Sequence, residues 1–281
     1  QADIQQQLKF RANNLLQKSF ERKNLSYVVR STENKLQEML KVIKGVGGTG
    51  IVYVRNRKKT RDISDYLISK GISSTYYHAG LSMEDRSLVQ QQWMSGKVHV
   101  MVSTNAFGMG IDKPDVRFVA HVDLPKSLEA YYQETGRAGR DGLPAVAWMA
   151  HGTGDIPQLR RFIDDSGASE EQKRIEHGKL EALIAYSEAS GCRRQVLLRH
   201  FGEALHAPCQ NCDGCLEPQQ RSDCRVAAQK ALSAVYRTGQ RFGAAHVVDV
   251  LLGGNTEKIR NLNHHELSVY GIGKELDRGQ W

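Results

Sequence analysis

The stretch Gln133-Glu134-Thr135-Gly136-Arg137-Ala138-Gly139-Arg140-Asp141-Gly142 sets two arginines three residues apart on a glycine-rich turn, directly after a helix-like segment, residues 127–134. Each guanidinium is a permanently charged planar fork that binds phosphate oxygens in pairs, and the glycines let backbone approach a ligand without Cβ collisions. An arginine delivered to a γ-phosphate neutralises charge that builds up during phosphoryl transfer. Taken alone, the same letters also read as an exposed basic turn, so the surrounding sequence has to decide.

Outward from the turn, strand-like and helix-like segments alternate as far as about Ala150. Residues 31–44 read as a helix with Ser31 as N-cap and Leu36, Met39, Leu40 and Ile43 at helical spacing. Residues 51–54 form a buried strand, 58–70 a helix ended by Gly71, and 73–77 a strand. Ser82 caps the next helix, with Met83, Val89 and Trp93 available for packing and Asp85 as capping-box partner. Strands at 98–102, 118–122 and 145–149 complete the pattern. It predicts an α/β fold, a parallel sheet with helices on both faces, in which ligands bind at the carboxyl ends of the strands.

Composition narrows the partner. The 281 residues are 40% hydrophobic and carry 39 Lys and Arg against 31 Asp and Glu, a formal charge of +8 that favours a polyanion over an acidic substrate. No apolar run approaches the roughly 18 residues that span a bilayer, so no membrane partner is expected, and the sequence Gln1-Ala2-Asp3-Ile4 lacks a basic-then-apolar signal; a cytoplasmic address is the default.

The cysteines read Cys192-x16-Cys209-x2-Cys212-x2-Cys215, with Cys224 to spare. Four thiolates of this kind suit a tetrahedral structural Zn²⁺ with a closed coordination sphere; on spacing alone an iron–sulfur cluster is the alternative. A long helix over 169–187, with Ile175, Leu180, Leu183 and Ile184 on one buried face, leads into Cys192. Arg193, Arg194 and Arg199 follow, facing either DNA or water.

Upstream of the arginine turn stands Val102-Ser103-Thr104-Asn105-Ala106-Phe107-Gly108-Met109-Gly110-Ile111-Asp112-Lys113-Pro114, then the apolar run 118–122 and Asp123-Leu124-Pro125. Together with the turn, these residues resemble motifs V and VI of superfamily 2 helicases in the form used by the RecQ family of DNA helicases. Gly50-Ile51-Val52-Tyr53-Val54, Asn56-Arg57, Tyr77-His78-Ala79-Gly80-Leu81 and the four cysteines fit the same family, so the resemblance covers nearly the whole chain.

That resemblance implies a RecA-like second helicase lobe over 17–150, a helical zinc-binding domain over 151–218 and a partial winged helix over 219–281, with 1–16 as the last helix of a preceding first lobe. It implies Arg137 and Arg140 as the catalytic pair, with Arg140 the finger proper, and Gly110, Asp112, Gln133 and Gly136 beside the nucleotide. Asn56, Arg57, His78, Ser103, Thr104 and Asn105 are implied DNA contacts, joined in the winged helix by Lys258 and Arg260. The expected function is 3′ to 5′ unwinding of DNA coupled to ATP hydrolysis, in repair and recombination. Zinc is structural, ATP and magnesium are shared with the first lobe, and the partners are single-stranded DNA, duplex junctions and that lobe. A bacterial, nucleoid-associated location goes with this.

The pattern Gly45-Val46-Gly47-Gly48-Thr49-Gly50 matches GxGxxG but follows a helix and enters a strand, the reverse of a dinucleotide fingerprint. No GxxxxGK[ST] occurs, and no DExH or DExD follows an apolar strand. The sequence therefore carries an arginine finger without a phosphate cradle. A stand-alone, non-catalytic DNA- or protein-binding module is the second reading, and motifs V and VI by themselves also allow an RNA helicase.

Overall fold

The computed structural model describes residues 2–9, 18–107, 112–218 and 223–281, and divides into two compact units, Gln1–Gln219 and Gln220–Trp281. In chain order the first unit holds α1 (Ala2–Gln7), β1 (Leu25–Ser31), α2 (Lys35–Val46), β2 (Thr49–Tyr53), α3 (Arg57–Ser69), β3 (Ser74–Tyr77), α4 (Met83–Met94), β4 (Val100–Ser103), β5 (Val116–His121), α5 (Leu128–Thr135) and β6 (Ala145–His151). After these come α6 (Asp155–Asp164), α7 (Glu170–Glu188), α8 (Arg193–His200) and α9 (Asp213–Leu216).

The six strands form one parallel sheet in the order β1-β6-β5-β2-β4-β3. Side chains alternate across it with period two. Ile51 and Tyr53 of β2 join one buried cluster with Trp93 of α4, Leu128 and Tyr131 of α5, and Leu183 and Tyr186 of α7. Val52 and Val54 face the other way, onto Met39 and Ile43 of α2 and Ile63 and Leu67 of α3. Helices thus cover both faces, as the alternation predicted.

Three local expectations are corrected. β1 was not anticipated, and Ser31 is its last residue, paired with His151, rather than a helix cap; α2 starts after Asn34 instead. Met83 is exposed, because it is the first residue of α4 and projects from the rim, whereas Trp93 is fully buried and donates its indole N–H to the Gly50 carbonyl at 3.2 Å. On α7, Ile175 is exposed while Leu180, Leu183 and Ile184 are buried, since only the second half of that helix lies on the core. Ser82 caps α4 as expected, accepting the Asp85 N–H at 3.0 Å.

The second unit is helical where described: α10 (Arg225–Arg237), α11 (Ala244–Leu252), α12 (Glu257–Asn261) and a 3₁₀ turn, His264–Glu266. Its own core gathers Ala234, Val247, Val250, Leu251, Ile259 and Val269, and Gly253 ends α11 in the left-handed region at φ 71°. Among the described residues no helix is long and apolar enough to cross a membrane.

At Gly50 the sheet has no room for a side chain. A Cβ there would lie 2.1 Å from Cζ of Phe118, the residue paired with Gly50 across β2 and β5, whose buried ring covers the bare Cα. Gly50→Ala is expected to cost about 1–3 kcal/mol or more by overpacking, measured as a lower midpoint in denaturant unfolding.

Candidate functional site

Every strand of a parallel sheet points the same way, so Tyr53, Tyr77, Ser103 and His121 end together at one edge, and the segments that leave them form the candidate site. Ser127 caps α5 by accepting the Ala130 N–H at 3.2 Å, and the helix runs out at Gly136 into the arginine turn. That turn is held from beneath. Arg22 donates to the carbonyls of Gly136 at 3.0 Å, Ala138 at 2.8 Å and Gly139 at 3.1 Å, and Asn24 donates to Gly139 and Leu143 at 2.7 and 2.8 Å. Gly139, at φ 61°, is obligatory twice over, because a Cβ would also lie 2.4 Å from the Asn24 amide nitrogen.

From this braced turn Arg140 reaches Asp112 in a 2.8 Å ion pair, so the structure brings together two of the residues expected at the nucleotide. The pair is well exposed, which leaves its Coulomb attraction screened and the arginine able to exchange partners. Arg137 is half-buried, and its backbone N–H donates to the Glu134 carbonyl at 3.3 Å. Gln133 is exposed on α5, Gly136 is its C-cap, and Gly110 lies outside the described residues.

Between β2, β5 and α5 lies a cleft of about 290 Å³, lined by Tyr53, Arg55, Asn105, His121, Lys126 and Glu134 among others. His121 is fully buried and its Nε2 lies 2.7 Å from the Glu134 carboxylate. Neither His121 nor Tyr53 was marked as functional from sequence; both sit in strands, where an aromatic reads as core.

Of the expected DNA contacts, Arg57 and Asn105 are exposed at this edge. Asn56 is exposed, with its side-chain oxygen accepting the Lys58 N–H as the cap of α3. His78 accepts the Gly80 N–H through Nδ1 and stacks on Tyr76, a local structural use. Ser103 is corrected: it is fully buried, with its hydroxyl bonded to the Tyr77 and Thr104 carbonyls, so it has no free face for a phosphate. Thr104 is nearly as buried. In the second unit Lys258 and Arg260 are exposed on α12, with the Lys258 ammonium 5.1 Å from the centre of the Phe242 ring. Behind that ring His246 and His264 share a 2.8 Å hydrogen bond, and burial pushes both imidazoles down.

The four expected cysteines converge, with all four sulfurs within 4.8 Å of one another. Tetrahedral Zn–S bonds of about 2.3 Å put sulfurs about 3.8 Å apart; Cys209 and Cys215 stand at 4.0 Å and Cys212 and Cys215 at 3.5 Å. The Arg193 and Cys209 N–H groups each point at a sulfur, of Cys212 and Cys192, at 3.3 Å. A hydrogen bond from Cys209 lowers the Cys212 thiol to about 5, whereas Cys209 and Cys215 are pushed up, so the cluster by itself resists further ionisation. A divalent cation removes that opposition. The residues fit one zinc ion, which when bound supplies folding energy rather than chemistry. Cys224 is exposed.

Arg193 and Arg194 are corrected as well. They face neither DNA nor water but are buried, and only Arg199 is exposed. Arg193 pairs with Asp213 at 2.9 Å and donates to the Tyr186 and Ser187 carbonyls; Arg194 donates to the carbonyl of Leu25 at 2.9 Å. Asp213 in turn accepts the Val29 N–H at 2.9 Å, joining the zinc-binding segment to the edge of β1.

Comparison with known proteins agrees along the chain. The helicase conserved C-terminal domain matches residues 32–142, RecQ zinc-binding 153–216 and the RQC domain 218–281. The chain is 45% identical over 264 residues to the ATP-dependent DNA helicase RecQ of Haemophilus influenzae, covering 94% of this chain and 42% of that protein. It is 43% identical over 280 residues to its counterpart in Pasteurella multocida, covering 99% and 44%. The ATP-dependent helicase SGS1 of Saccharomyces cerevisiae is 35% identical over 290 residues, covering 99% and 20%. The chain thus spans less than half the length of these curated relatives.

Cys212→Ser should release the zinc and lower the melting temperature by about 10 °C or more, given that 1 kcal/mol is worth roughly 2–4 °C in a domain of this size; metal analysis and calorimetry read both. Arg193→Ala leaves buried Asp213 with only the more distant Arg30, at 3.6 Å, as counter-ion and should cost about 3 kcal/mol, read by denaturant unfolding with zinc held saturating.

Proposed function

We propose, on the premise that this chain belongs to the RecQ family, that it works as the second RecA-like lobe, zinc-binding segment and RQC segment of an ATP-dependent DNA helicase. The domain boundaries that go with this are 17–150, 151–218 and 219–281. The observation that carries the reading is the braced turn of 136–142, which offers Arg137 and Arg140 at the carboxyl edge of the sheet beside Asp112.

In this reading the triphosphate sits between two lobes of the same protein. The other lobe supplies the phosphate-binding lysine and the magnesium acid, for which this sequence has no GxxxxGK[ST] or DExH. Arg140 exchanges Asp112 for the γ-phosphate and meets the charge that develops there, while Arg137 holds the neighbouring oxygens. Closure and reopening of the cleft then step the lobes along single-stranded DNA, 3′ to 5′. Arg57 and Asn105 contact the strand at the sheet edge, Asn56 and His78 assist there, and Lys258 and Arg260 touch duplex backbone at a junction. Thr104 contributes through its backbone. The net charge of +8 suits such a polyanion, and the setting is the bacterial cytoplasm, at the nucleoid.

Arg140→Ala, in a protein carrying both lobes, should lower ATP turnover by about 10³-fold or more while DNA affinity stays within about twofold. Near-normal hydrolysis in that variant sinks the finger assignment. Hydrolysis by the present chain alone would refute the shared site, and DNA binding with no hydrolysis in either form would favour a non-catalytic module.

A further inference from the structure

A single side chain reaches the peptide units that enter both arginines of the turn. Arg22 donates through Nη1 to the Gly136 carbonyl at 3.0 Å, and through Nη2 to the carbonyls of Ala138 at 2.8 Å and Gly139 at 3.1 Å. The Gly136 carbonyl belongs to the planar unit that joins Gly136 to Arg137, and the Gly139 carbonyl to the unit that joins Gly139 to Arg140. Holding those two oxygens fixes the plane from which each arginine starts. The units that leave the arginines are fixed as well, by the Ala138 N–H on the Thr135 carbonyl at 3.0 Å and the Asp141 N–H on the Pro114 carbonyl at 3.2 Å.

Three carbonyl oxygens turned to one side of a tight turn repel one another, and a cation among them offsets that repulsion. A guanidinium suits the place because its five N–H groups lie in one rigid plane, whereas an ammonium is a compact point charge. Arg22 belongs to a strap, residues 19–24, whose other anchors do not depend on it. Glu203 accepts the Ser19 hydroxyl at 2.7 Å and the Phe20 N–H at 2.8 Å. The Phe20 ring stacks on Phe201 with centroids 5.0 Å apart, and the Phe20 carbonyl accepts the Tyr132 hydroxyl at 2.8 Å. Asn24 keeps its own bonds to Gly139 and Leu143.

We propose that Arg22 is a positioning residue for phosphoryl transfer: by gathering the carbonyls of Gly136, Ala138 and Gly139 it sets the directions in which Arg137 and Arg140 leave the turn. This rests on the reading of the two arginines given above. A group misplaced by about 1 Å can cost a reaction about a hundredfold in rate, and an arginine whose backbone is clamped on both sides has only its side-chain torsions left to settle. The described bonds of Arg22 all go to backbone, so its effect is read through the pair it orients.

The test is Arg22→Lys in a protein carrying both lobes, since it keeps the charge and loses the fork. ATP turnover should fall about tenfold, with KM for ATP within about twofold of the parent. Affinity for ADP with aluminium fluoride, which imitates the γ-phosphoryl group in transfer, should fall by a similar factor while affinity for ADP alone is unchanged. Arg22→Ala should show the same split more strongly, with turnover down about a hundredfold. The melting temperature of Arg22→Lys should stay at the parent's, because the strap keeps its other anchors. Parental turnover in both variants overturns the positioning role, and so does a loss in which ADP affinity and melting temperature fall together with turnover. The failures are distinguishable: near-normal turnover in Arg140→Ala removes the arginine assignment and the role of Arg22 with it, whereas an inactive Arg140→Ala beside a parental Arg22→Lys refutes the role of Arg22 alone.

Discussion

The buried carboxylate of Asp213 is the joint on which the first unit depends. It sits one residue after a zinc-binding cysteine, takes the Arg193 guanidinium on one side and the backbone N–H of Val29 on the other, and lies 3.6 Å from Arg30. An edge strand exposes unpaired backbone groups that invite pairing with another chain. Here β1 has that edge occupied, by Asp213 at Val29, by a parallel bridge between Tyr27 and Cys212, and by Arg194 on the Leu25 carbonyl. The zinc-binding segment is therefore a cap on the sheet, and its metal ties down residues that the lobe needs for its own outer strand. Cys192 and Cys212 accordingly belong to the same buried cluster as Tyr27 and Tyr131.

The consequence reaches the arginines through β1 and the segment before it. Arg22 and Asn24 hold the carbonyls of the arginine turn, and β1 begins at Leu25, so the brace and the capped strand are one continuous piece of chain. Glu21 and Lys23 also bind Arg194 of α8, at a side-chain carboxylate and a carbonyl. Zinc-binding segment, edge strand and arginine turn are thus linked by short runs of covalent chain and hydrogen bonds, with no long lever between them. Such coupling is carried by packed groups with few alternative arrangements.

What could be read from sequence was what is local. The four cysteines, the Ser82 cap and the glycine-arginine turn announce themselves within a few residues, because thiol spacing, capping geometry and backbone freedom are short-range requirements. β1 escaped because the strand it pairs with, β6, lies about 120 residues on, and residues 25–31 carry just three inward residues to mark a strand. Arg193 and Arg194 were misplaced for the same reason. Charge in a sequence predicts exposure only where no acceptor is brought in from afar, and their acceptors are Asp213, Tyr186 and Leu25. Arg22 and Asn24 gave no signal at all, since their purpose is set by carbonyls more than 110 residues away.

Ser103 illustrates how burial can overrule a single residue of a motif. The segment leaves β4 at the carboxyl edge of the sheet, as expected, but the first hydroxyl is spent closing the turn onto Tyr77 and Thr104, while Asn105 is the first side chain to reach solvent. A strand that must end inside the sheet has to satisfy its last polar groups before it can expose any, because a buried hydroxyl without a partner is costly. The residues nearest the strand end therefore shape the loop, and those a step further on reach solvent. The same order holds after β2, where Tyr53 is buried with its hydroxyl on the Phe107 carbonyl and Asn56 and Arg57 stand exposed beyond it. Sequence motifs at strand ends mix these two kinds of residue, and burial is what separates them.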